Sequence, residues 1–308
     1  MDYKSYLTLN YEKLYQIKNM LKTMDTNYFT MIKINERELD VNTISIVMTA
    51  CNRSIQTYFT IKTISDSSYK NVQVILIDDS TDDFIQVEKL EQYGIHIELI
   101  YIKNKFWVNP CINYNIGFKY IRGGKVIIQN AEVCHIGDVI NYVADNIKNN
   151  EYHSINVYAL GDLYENNLLY EIGDMLHDNK QKIVSLDGCW YQHSIQRNLH
   201  FHFLTALTKE TFDKIGGFDI DYGLGTSWDD NALVFKITNI NIKIINAGDL
   251  IMGVHQWHPQ SACGEFSTNI NNRDFHNRKC NYYKINKTFL DLTSYDKNEI
   301  IDIINMWI

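Results

Sequence analysis

The fold is decided by two apolar runs near the start of the chain, ISIVMT at residues 44–49 and VQVILI at residues 72–77. Short runs rich in Val and Ile are typical of strands buried on both faces, as in a parallel sheet. Each run ends in a polar turn, the first at Asn52-Arg53 and the second at Asp78-Asp79. Ligands bind at the carboxyl ends of parallel strands, so we predict that these polar turns converge on one site.

Strand-like and helix-like segments continue to alternate after these runs. Residues 55–65 and 112–121 are compatible with helices, and residues 95–102 and 125–128 with strands. This alternation indicates a parallel sheet with right-handed crossovers. We predict an α/β fold of the Rossmann-like kind, with a mostly parallel central sheet and helices on both faces.

Both ends of the chain are predicted to be helical additions to this sheet. Residues 1–40 are polar, with apolar residues spaced for one helix face, and the last residues are compatible with an amphipathic helix. We predict an N-terminal helical extension over residues 1–40, a central domain over 41–262 and a C-terminal helical extension over 263–308. The appended helices could pair two copies into a homo-oligomer.

Bulk composition limits the function classes. The net charge of −8 argues against nucleic acid as a partner, because nucleic-acid binders usually present a basic face. Six scattered cysteines without a CxxC pair predict neither a zinc site nor a disulfide scaffold, and reduced cysteines fit a cytoplasmic protein. No run of 18 apolar residues occurs, so we predict no membrane span. A GxGxxG after the first strand and a GxxxxGK[ST] are both missing, which disfavours dehydrogenases and P-loop NTPases.

The order of several motifs resembles the family 2-type glycosyltransferases of the GT-A fold. The similar segments are residues 46–53, 74–80, 113–117, 203–219 and 228–231, and the resemblance spans roughly residues 43–260. In the third segment Tyr114 stands where the family usually has Arg. The resemblance implies the GT-A fold and an inverting hexosyltransferase (EC 2.4) that moves a hexose from a nucleotide-diphosphate sugar, with a UDP-sugar favoured, to a hydroxyl of a glycan or protein acceptor.

The resemblance also implies the nucleotide site. Asp79 and Asn52 would hold the nucleoside, with Asp78 near them. The full set implied to contact the nucleotide is Ala50, Asn52, Arg53, Asp78, Asp79, Asn109, Asn113, Gln129 and Asn130.

The family's metal-binding Asp-x-Asp is replaced here by Gln129-Asn130-Ala131-Glu132. Only Glu132 supplies a carboxylate, and a His that follows the base motif in several GT-A enzymes is matched by His255, with His258 second. The implied cofactor is Mn²⁺ or Mg²⁺, because both accept oxygen ligands and the donor's phosphates supply several more.

The implied catalytic residues are the carboxylates of Trp228-Asp229-Asp230-Asn231. Asp230 matches the base that takes a proton from the acceptor hydroxyl, and Asp229 would orient the acceptor or cap a helix. That both only cap the helix is an open alternative at this point. Trp190 and Trp228 are predicted to stack on sugar rings, and His193 and His202 to close over the donor.

A second function class stays open because the metal motif is incomplete. A non-catalytic module that binds a nucleotide sugar or a carbohydrate could use the same fold and the same cleft. A nucleotidyltransferase is disfavoured, because the turn at residues 50–54 contains no glycine.

Overall fold

The computed structural model describes residues 3–172, 179–259 and 271–305. Within these ranges the helices are α1 (Tyr3–Thr23), α2 (Ser54–Ser65), α3 (Val87–Glu91), α4 (Cys111–Phe118), α5 (Val139–Asn146), α6 (Leu163–Ile172), α7 (Lys180–Val184), α8 (Lys209–Ile215), α9 (Asp229–Asn239), α10 (Arg273–Asn286) and α11 (Lys297–Asn305). The strands are β1 (Phe29–Ile34), β2 (Ile44–Ala50), β3 (Val72–Asp78), β4 (His96–Ile102), β5 (Lys125–Asn130), β6 (Val133–Ile136), β7 (Glu151–Ser154), β8 (Val157–Leu160), β9 (Gly188–Gln192), β10 (Leu204–Thr208), β11 (Lys243–Asn246) and β12 (Met252–His255).

A large, mostly parallel sheet forms the centre of the protein. Its strand order is β1-β4-β3-β2-β5-β10-β7-β11. The four strands predicted from the apolar runs are β2, β3, β4 and β5, and they lie side by side and parallel. In this register Ile46 of β2 faces Val74 on one side and Ile127 on the other. The predicted α/β fold class is confirmed.

The two faces of this sheet carry separate hydrophobic cores. Val47 and Ile75 belong to the core that also contains residues of α1 and α4. Ile46 and Val74, which point the other way, pack with residues of α2 and α5. Successive side chains of a strand point to opposite faces, so apolar residues at every position need helices on both faces.

A smaller sheet brings a later segment of the chain next to the end of β5. Its order is β6-β12-β8-β9. β12 pairs antiparallel with β6, and His255 faces Val133 in that register. Glu132 directly precedes Val133, so this pairing places His255 beside Glu132.

Helix α4 lies unusually close to the large sheet. A Cβ atom built on Gly117 would lie 2.6 Å from Cδ1 of Ile77 and 2.9 Å from Cγ1 of Val47. Real Cβ atoms do not approach that closely, so any side chain at this position would require Ile77 and Val47 to shift. The glycine lets α4 rest directly on β2 and β3.

The ends of the chain differ in part from the prediction. Helix α1 is confirmed, but residues 29–34, predicted to be helical, form β1 at the edge of the large sheet, antiparallel to β4. Leu14 and Ile17 of α1 are buried in the core, as is Ile300 of α11. The division at residues 40 and 262 stays a prediction, and residue 262 lies outside the described ranges.

Two further expectations concern cysteines and membranes. Cys51 is disulfide-bonded, so the expectation that all cysteines are reduced is wrong there. Among the described residues Cys111, Cys134, Cys189 and Cys280 are free. No helix in the described part of the chain is long and apolar enough to cross a membrane.

Candidate active site

A cleft of about 660 Å³ opens at the carboxyl ends of β2, β3 and β5. It is lined by Thr49, Ala50, Cys51, Arg53, Asp79, Lys105, Val108, Pro110, Asn113, Tyr114, Asn130, Phe201, His202, Phe203 and residues 226–231. A smaller cavity of about 270 Å³, lined by Lys236 and Lys279 among others, contains none of the predicted site residues. The cleft is therefore the candidate active site.

The two acidic residues after β3 have different surroundings. Asp79 lines the cleft, pairs with Lys105 and accepts a hydrogen bond from Nδ2 of Asn113 at 2.9 Å. Asp78 is buried and accepts hydrogen bonds from the backbone N–H groups of Ser80 at 3.0 Å and Ile85 at 2.8 Å. Burial raises the pKa of Asp78. Asp79 is thus placed to meet a ligand, whereas Asp78 holds the loop beneath it.

Asn52 also supports that loop. Its Oδ1 accepts hydrogen bonds from the backbone N–H groups of Thr81 at 3.0 Å and Asp82 at 3.1 Å. Its backbone is left-handed, with φ of 53°, a conformation that Asn adopts more readily than most residues. The side chain of Asn52 therefore shapes this end of the cleft by fixing the loop after β3.

Four side-chain amides of the predicted set differ in burial and partners: Asn109, Asn113, Gln129 and Asn130. Asn113 and Asn130 line the cleft. Gln129 is buried, donates from Nε2 to the carbonyl of Val133 at 3.0 Å and contacts Nε2 of His135 through Oε1 at 2.8 Å. Asn109 is buried and donates through Nδ2 to Oδ1 of Asp229 at 3.1 Å. The amides of Gln129 and Asn109 are therefore already hydrogen-bonded to other protein groups, and they do not line the cleft.

The predicted base segment forms the wall opposite the strand ends. Ser227 and Trp228 both have left-handed backbones, with φ of 62° and 70°. Two such non-glycine residues in succession are uncommon, and they turn the chain so that α9 begins at the cleft. Nδ2 of Asn272 holds the turn by donating to the carbonyl of Ser227 at 3.0 Å. The result is that Asp229 and Asp230 open the helix inside the site.

Asp229 and Asp230 form a cluster with His202, whose ligand atoms all lie within 4.8 Å of one another. Burial and then the negative charge of Asp230 raise the pKa of Asp229 to about 6. His202 contacts Oδ1 of Asp230 through Nδ1, and its backbone N–H donates to the same oxygen at 3.2 Å. Burial would lower the pKa of His202, but the charge and hydrogen bond of Asp230 outweigh it and the pKa is raised.

The predicted metal residues form a second cluster, again with ligand atoms within 4.8 Å of one another. Nε2 of His255 lies 3.2 Å and Nε2 of His258 lies 3.5 Å from Oε1 of Glu132. Nη1 of Arg53 donates to the same oxygen at 2.6 Å. Burial opposes ionisation of Glu132, but Arg53 and the two histidines outweigh it and hold the pKa of Glu132 well below its usual value. Oε2 of Glu132 is buried and has no partner among the described residues.

Tyr114 lies between the two clusters. Its hydroxyl donates to the carbonyl of Gln129 at 2.8 Å, and its ring meets the ring of His202 edge-on at 4.8 Å. Burial raises the pKa of Tyr114 well above its usual value, and the charges of Glu132 and Asp230 add to the shift. Sequence reasoning named Tyr114 only as a departure from the family motif; its position in that motif was the available signal.

Two predicted substrate residues lie away from the cleft lining. Trp190 is on β9, at the edge of the smaller sheet, and its ring lies 4.3 Å from that of His193. Nδ1 of His193 accepts hydrogen bonds from the backbone N–H groups of Ile195 at 3.0 Å and Gln196 at 3.1 Å. The structure thus brings His202 and Trp228 into the cleft, but not Trp190 or His193.

Solved structures with a similar fold are glycosyltransferases. TarS from S. aureus superposes with a TM-score of 0.56 and 11% identity over 85% of this chain, which covers 43% of that TarS chain. TarS 1–349 in complex with UDP-GlcNAc superposes with a TM-score of 0.56 and 12% identity. The match covers 86% of this chain and 71% of that one. GalNAc-T7 with UDP, GalNAc and Mn²⁺ superposes with a TM-score of 0.53 and 11% identity. The match covers 86% of this chain and 55% of that one. This chain thus spans less than half of the first TarS chain, and at these identities the likeness shows the fold, which is GT-A.

Sequence comparison gives the family. No curated protein sequence matches this chain. Residues 45–199, half of the chain, match the glycosyl transferase family 2. The matched range runs from β2 to just beyond β9, and so includes the carboxyl ends of β2, β3 and β5 and the Glu132 turn. The chain belongs to glycosyl transferase family 2.

Proposed function

We propose that this protein is an inverting, divalent-metal-dependent hexosyltransferase that uses a UDP-sugar and glycosylates a hydroxyl of a glycan or protein. The observation that carries the proposal is that one cleft is lined by Asp79, by Arg53, whose guanidinium contacts the buried Glu132 cluster, and by the Asp230 cluster. A transferase needs groups for the nucleoside, for the diphosphate and for the acceptor proton, and these three regions supply them in that order. The cytoplasmic location and the homo-oligomer stay predictions.

Asp230 is the better candidate for the base. Its side chain is 22% exposed and lines the cleft, whereas Asp229 is 6% exposed and held by Asn109. Asp230 takes the proton of the acceptor hydroxyl while the acceptor oxygen bonds to the anomeric carbon. The bond from that carbon to the diphosphate oxygen breaks, and the nucleoside diphosphate leaves with the electron pair. Attack opposite the leaving group inverts the anomeric centre.

Uridine is the favoured nucleoside. TarS 1–349 was solved in complex with UDP-GlcNAc, and GalNAc-T7 with UDP, GalNAc and Mn²⁺. In this chain Asp79, fixed by Lys105 and Asn113, offers carboxylate oxygens to a ribose or a uracil edge. Ring-bearing residues such as Phe201 and Trp228 line the acceptor side and suit contact with sugar rings.

The Glu132 cluster fits a divalent cation. Oε2 of Glu132 is a buried carboxylate oxygen without a partner among the described residues, and the ligand atoms of Glu132, His255 and His258 lie within 4.8 Å of one another. Glu132, His255 and His258 would hold the ion. Two imidazole ligands favour Mn²⁺ over Mg²⁺, which prefers oxygen ligands alone. When bound, the ion would supply positive charge that stabilises the departing diphosphate.

Transfer from a panel of nucleotide sugars with added Mn²⁺ tests the proposal. We expect a UDP-sugar to be used, and Asp230→Asn to lower the transfer rate by about 10²- to 10⁴-fold, as expected for loss of a general base. Binding of UDP should remain, since Asp230 is assigned to the acceptor and Asp79 to the nucleoside. Asp213→Asn, an exposed change on α8, is the matched control. If Asp230→Asn transfers at the full rate to every acceptor, the base assignment is wrong.

One observation favours the non-catalytic alternative. Glu132, the single carboxylate of the metal cluster, is already paired with Arg53. A binding module would bind UDP and Mn²⁺ tightly and show neither transfer nor donor hydrolysis. Calorimetry with UDP and Mn²⁺, run beside the transfer assay, separates the two functions.

A further inference from the structure

Glu132 has a very uneven set of partners. Nη1 of Arg53, Nε2 of His255, Nε2 of His258 and Nδ2 of Asn130 all lie within 3.5 Å of Oε1. The other oxygen, Oε2, is buried and unpartnered among the described residues. One carboxylate oxygen offers about two lone-pair sites, so four nitrogens cannot all donate to it. Arg53 makes the shortest of the four contacts and always carries its charge, so it is the donor that occupies Oε1.

Arg53 is also open to the cleft. It follows directly after Asn52, immediately before α2, and its side chain is 19% exposed whereas that of Glu132 is 1% exposed. Its Nε is buried and makes no hydrogen bond among the described residues. The guanidinium therefore has donor capacity left, and it lies where an anion in the cleft could reach it.

A divalent cation and the Arg53 guanidinium compete for Glu132. Both are positive, both need the same carboxylate, and in a buried site their mutual repulsion is weakly screened. A diphosphate changes this balance, because its oxygens accept bidentate hydrogen bonds from arginine and also ligate the metal. Arg53 can then turn from Glu132 to the diphosphate and leave both carboxylate oxygens to the ion.

We propose that Arg53 acts as an internal counter-ion that keeps the Glu132 cluster closed to a divalent cation until a nucleoside diphosphate draws its guanidinium away. This inference rests on the proposed function, because it takes the diphosphate as the natural ligand. It makes Arg53 a positioning residue and gives an order of binding in which the nucleotide precedes or accompanies the metal.

Direct titration with Mn²⁺ tests this, using the electron paramagnetic resonance signal of free Mn²⁺. Arg53→Gln removes the charge and keeps a hydrogen-bond donor, and Arg53→Lys keeps the charge. We expect Arg53→Gln to bind Mn²⁺ alone about 10-fold more tightly than the unmodified protein, a typical size for coupling between sites. Arg53→Lys should stay close to the unmodified protein, and Glu132→Gln should lose Mn²⁺ binding.

The titrations are then repeated with saturating UDP. UDP should raise the Mn²⁺ affinity of the unmodified protein, and raise that of Arg53→Gln by a smaller factor. Thermal unfolding checks that each variant is folded, and Arg53→Met, of similar length, replaces Arg53→Gln if that variant does not fold. If the unmodified protein binds Mn²⁺ with UDP but the charge-removing variant gains nothing for Mn²⁺ alone, the inference is overturned and the proposed function stands. If the unmodified protein binds no Mn²⁺ even with UDP, the metal assignment falls and this inference with it.

Discussion

Two clusters combine carboxylates with histidines, one lining the cleft and one buried behind Arg53, and their electrostatics are opposite. In the cluster of Asp229, Asp230 and His202, burial and a neighbouring negative charge raise the pKa of Asp229 to about 6. In the cluster of Glu132, His255 and His258, burial also favours the neutral acid, yet the pKa of Glu132 is held well below its usual value. The residue types are similar, so the composition of the clusters does not explain the difference.

The difference comes from the groups beside each carboxylate. Glu132 has Arg53 at 2.6 Å and two imidazoles near the same oxygen. Asp229 has Asn109, a neutral donor, and shares its cluster with a second carboxylate. The first arrangement keeps a fixed negative charge, which suits the holding of a cation. The second brings a proton equilibrium close to neutral pH, which suits proton transfer.

Breaking the Glu132 cluster should have the largest effect. Glu132→Gln removes the anion that neutralises Arg53, and breaking a buried ion pair from one side costs about 3–5 kcal/mol in the free energy of unfolding. Urea unfolding followed by tryptophan fluorescence measures this. The matched control is Glu36→Gln, whose ion pair with Lys33 has the same length of 2.6 Å but is exposed, with side chains 61% and 42% exposed. The control should cost far less, because exposed ion pairs contribute little to stability. Equal losses in the two variants would contradict the role given to burial.

The sequence predicts the strands of this site well because their signal is local. β2, β3, β4 and β5 are short apolar runs, and the rule that ligands bind at the carboxyl ends of parallel strands places Asp79 and Glu132 near one cleft. The edge strand β1 was missed because its apolar residues, Phe29, Met31, Ile32 and Ile34, do not alternate regularly with polar ones. Its pairing with β4 holds β1 in the sheet through backbone hydrogen bonds, which leave no hydrophobic pattern in the sequence.

The partners within the site could not be predicted, because they come from distant parts of the chain. Arg53 and Glu132 are 79 positions apart, and Asn109 and Asp229 are 120 positions apart. Which side chain meets which depends on helix positions, such as the close approach of α4 to the sheet. The same distance in sequence explains why Asn109 was grouped with nucleotide contacts although it holds Asp229.

The raised pKa of Asp229 predicts a smaller effect on the free energy of unfolding, and this effect depends on pH in a defined range. The ordinary pKa of Asp is 3.8, and in the folded protein that of Asp229 is about 6. The unfolded chain loses this proton first, so this residue makes the protein less stable as the pH rises from about 4 to about 6. Asp229→Asn keeps an acceptor for Asn109 and should raise the free energy of unfolding at pH 7 by about 2–3 kcal/mol, with no gain below pH 4.

Urea unfolding at a series of pH values checks this. Asp213→Asn is the control, because Asp213 is exposed and paired with Lys209 at the surface. It should show no such window. An Asp229→Asn variant that is no more stable than the unmodified protein at pH 7 would mean that the Asp229 carboxylate is as well stabilised as Glu132, and the contrast between the clusters would disappear.

The pairing of His202 with Asp230 predicts the smallest effect on the free energy of unfolding. This effect changes over a different pH range from that of Asp229. The pKa of His202 is raised above its ordinary value of 6.5. Its stabilising contribution is therefore fully present below pH 6.5 and is lost as the pH rises through the pKa of the folded state. His202→Asn keeps a donor toward Asp230 but removes the charge. It should lower the free energy of unfolding by about 1 kcal/mol at pH 6, and by less at pH 9.

His200→Asn is the neighbouring control, because burial lowers the pKa of His200 and its charged form is disfavoured in the folded protein. It should not reproduce the loss at pH 6. If His202→Asn costs the same at pH 6 and pH 9, the contact with Asp230 is a neutral hydrogen bond, and Asp230 faces the acceptor with its full negative charge. If the cost fades with rising pH, the Asp230 cluster contains its own cation, as the Glu132 cluster does. The two clusters would then differ only in the kind of cation beside the carboxylate: Glu132 is paired with the guanidinium of Arg53, and Asp230 with the imidazole of His202, which can release its proton.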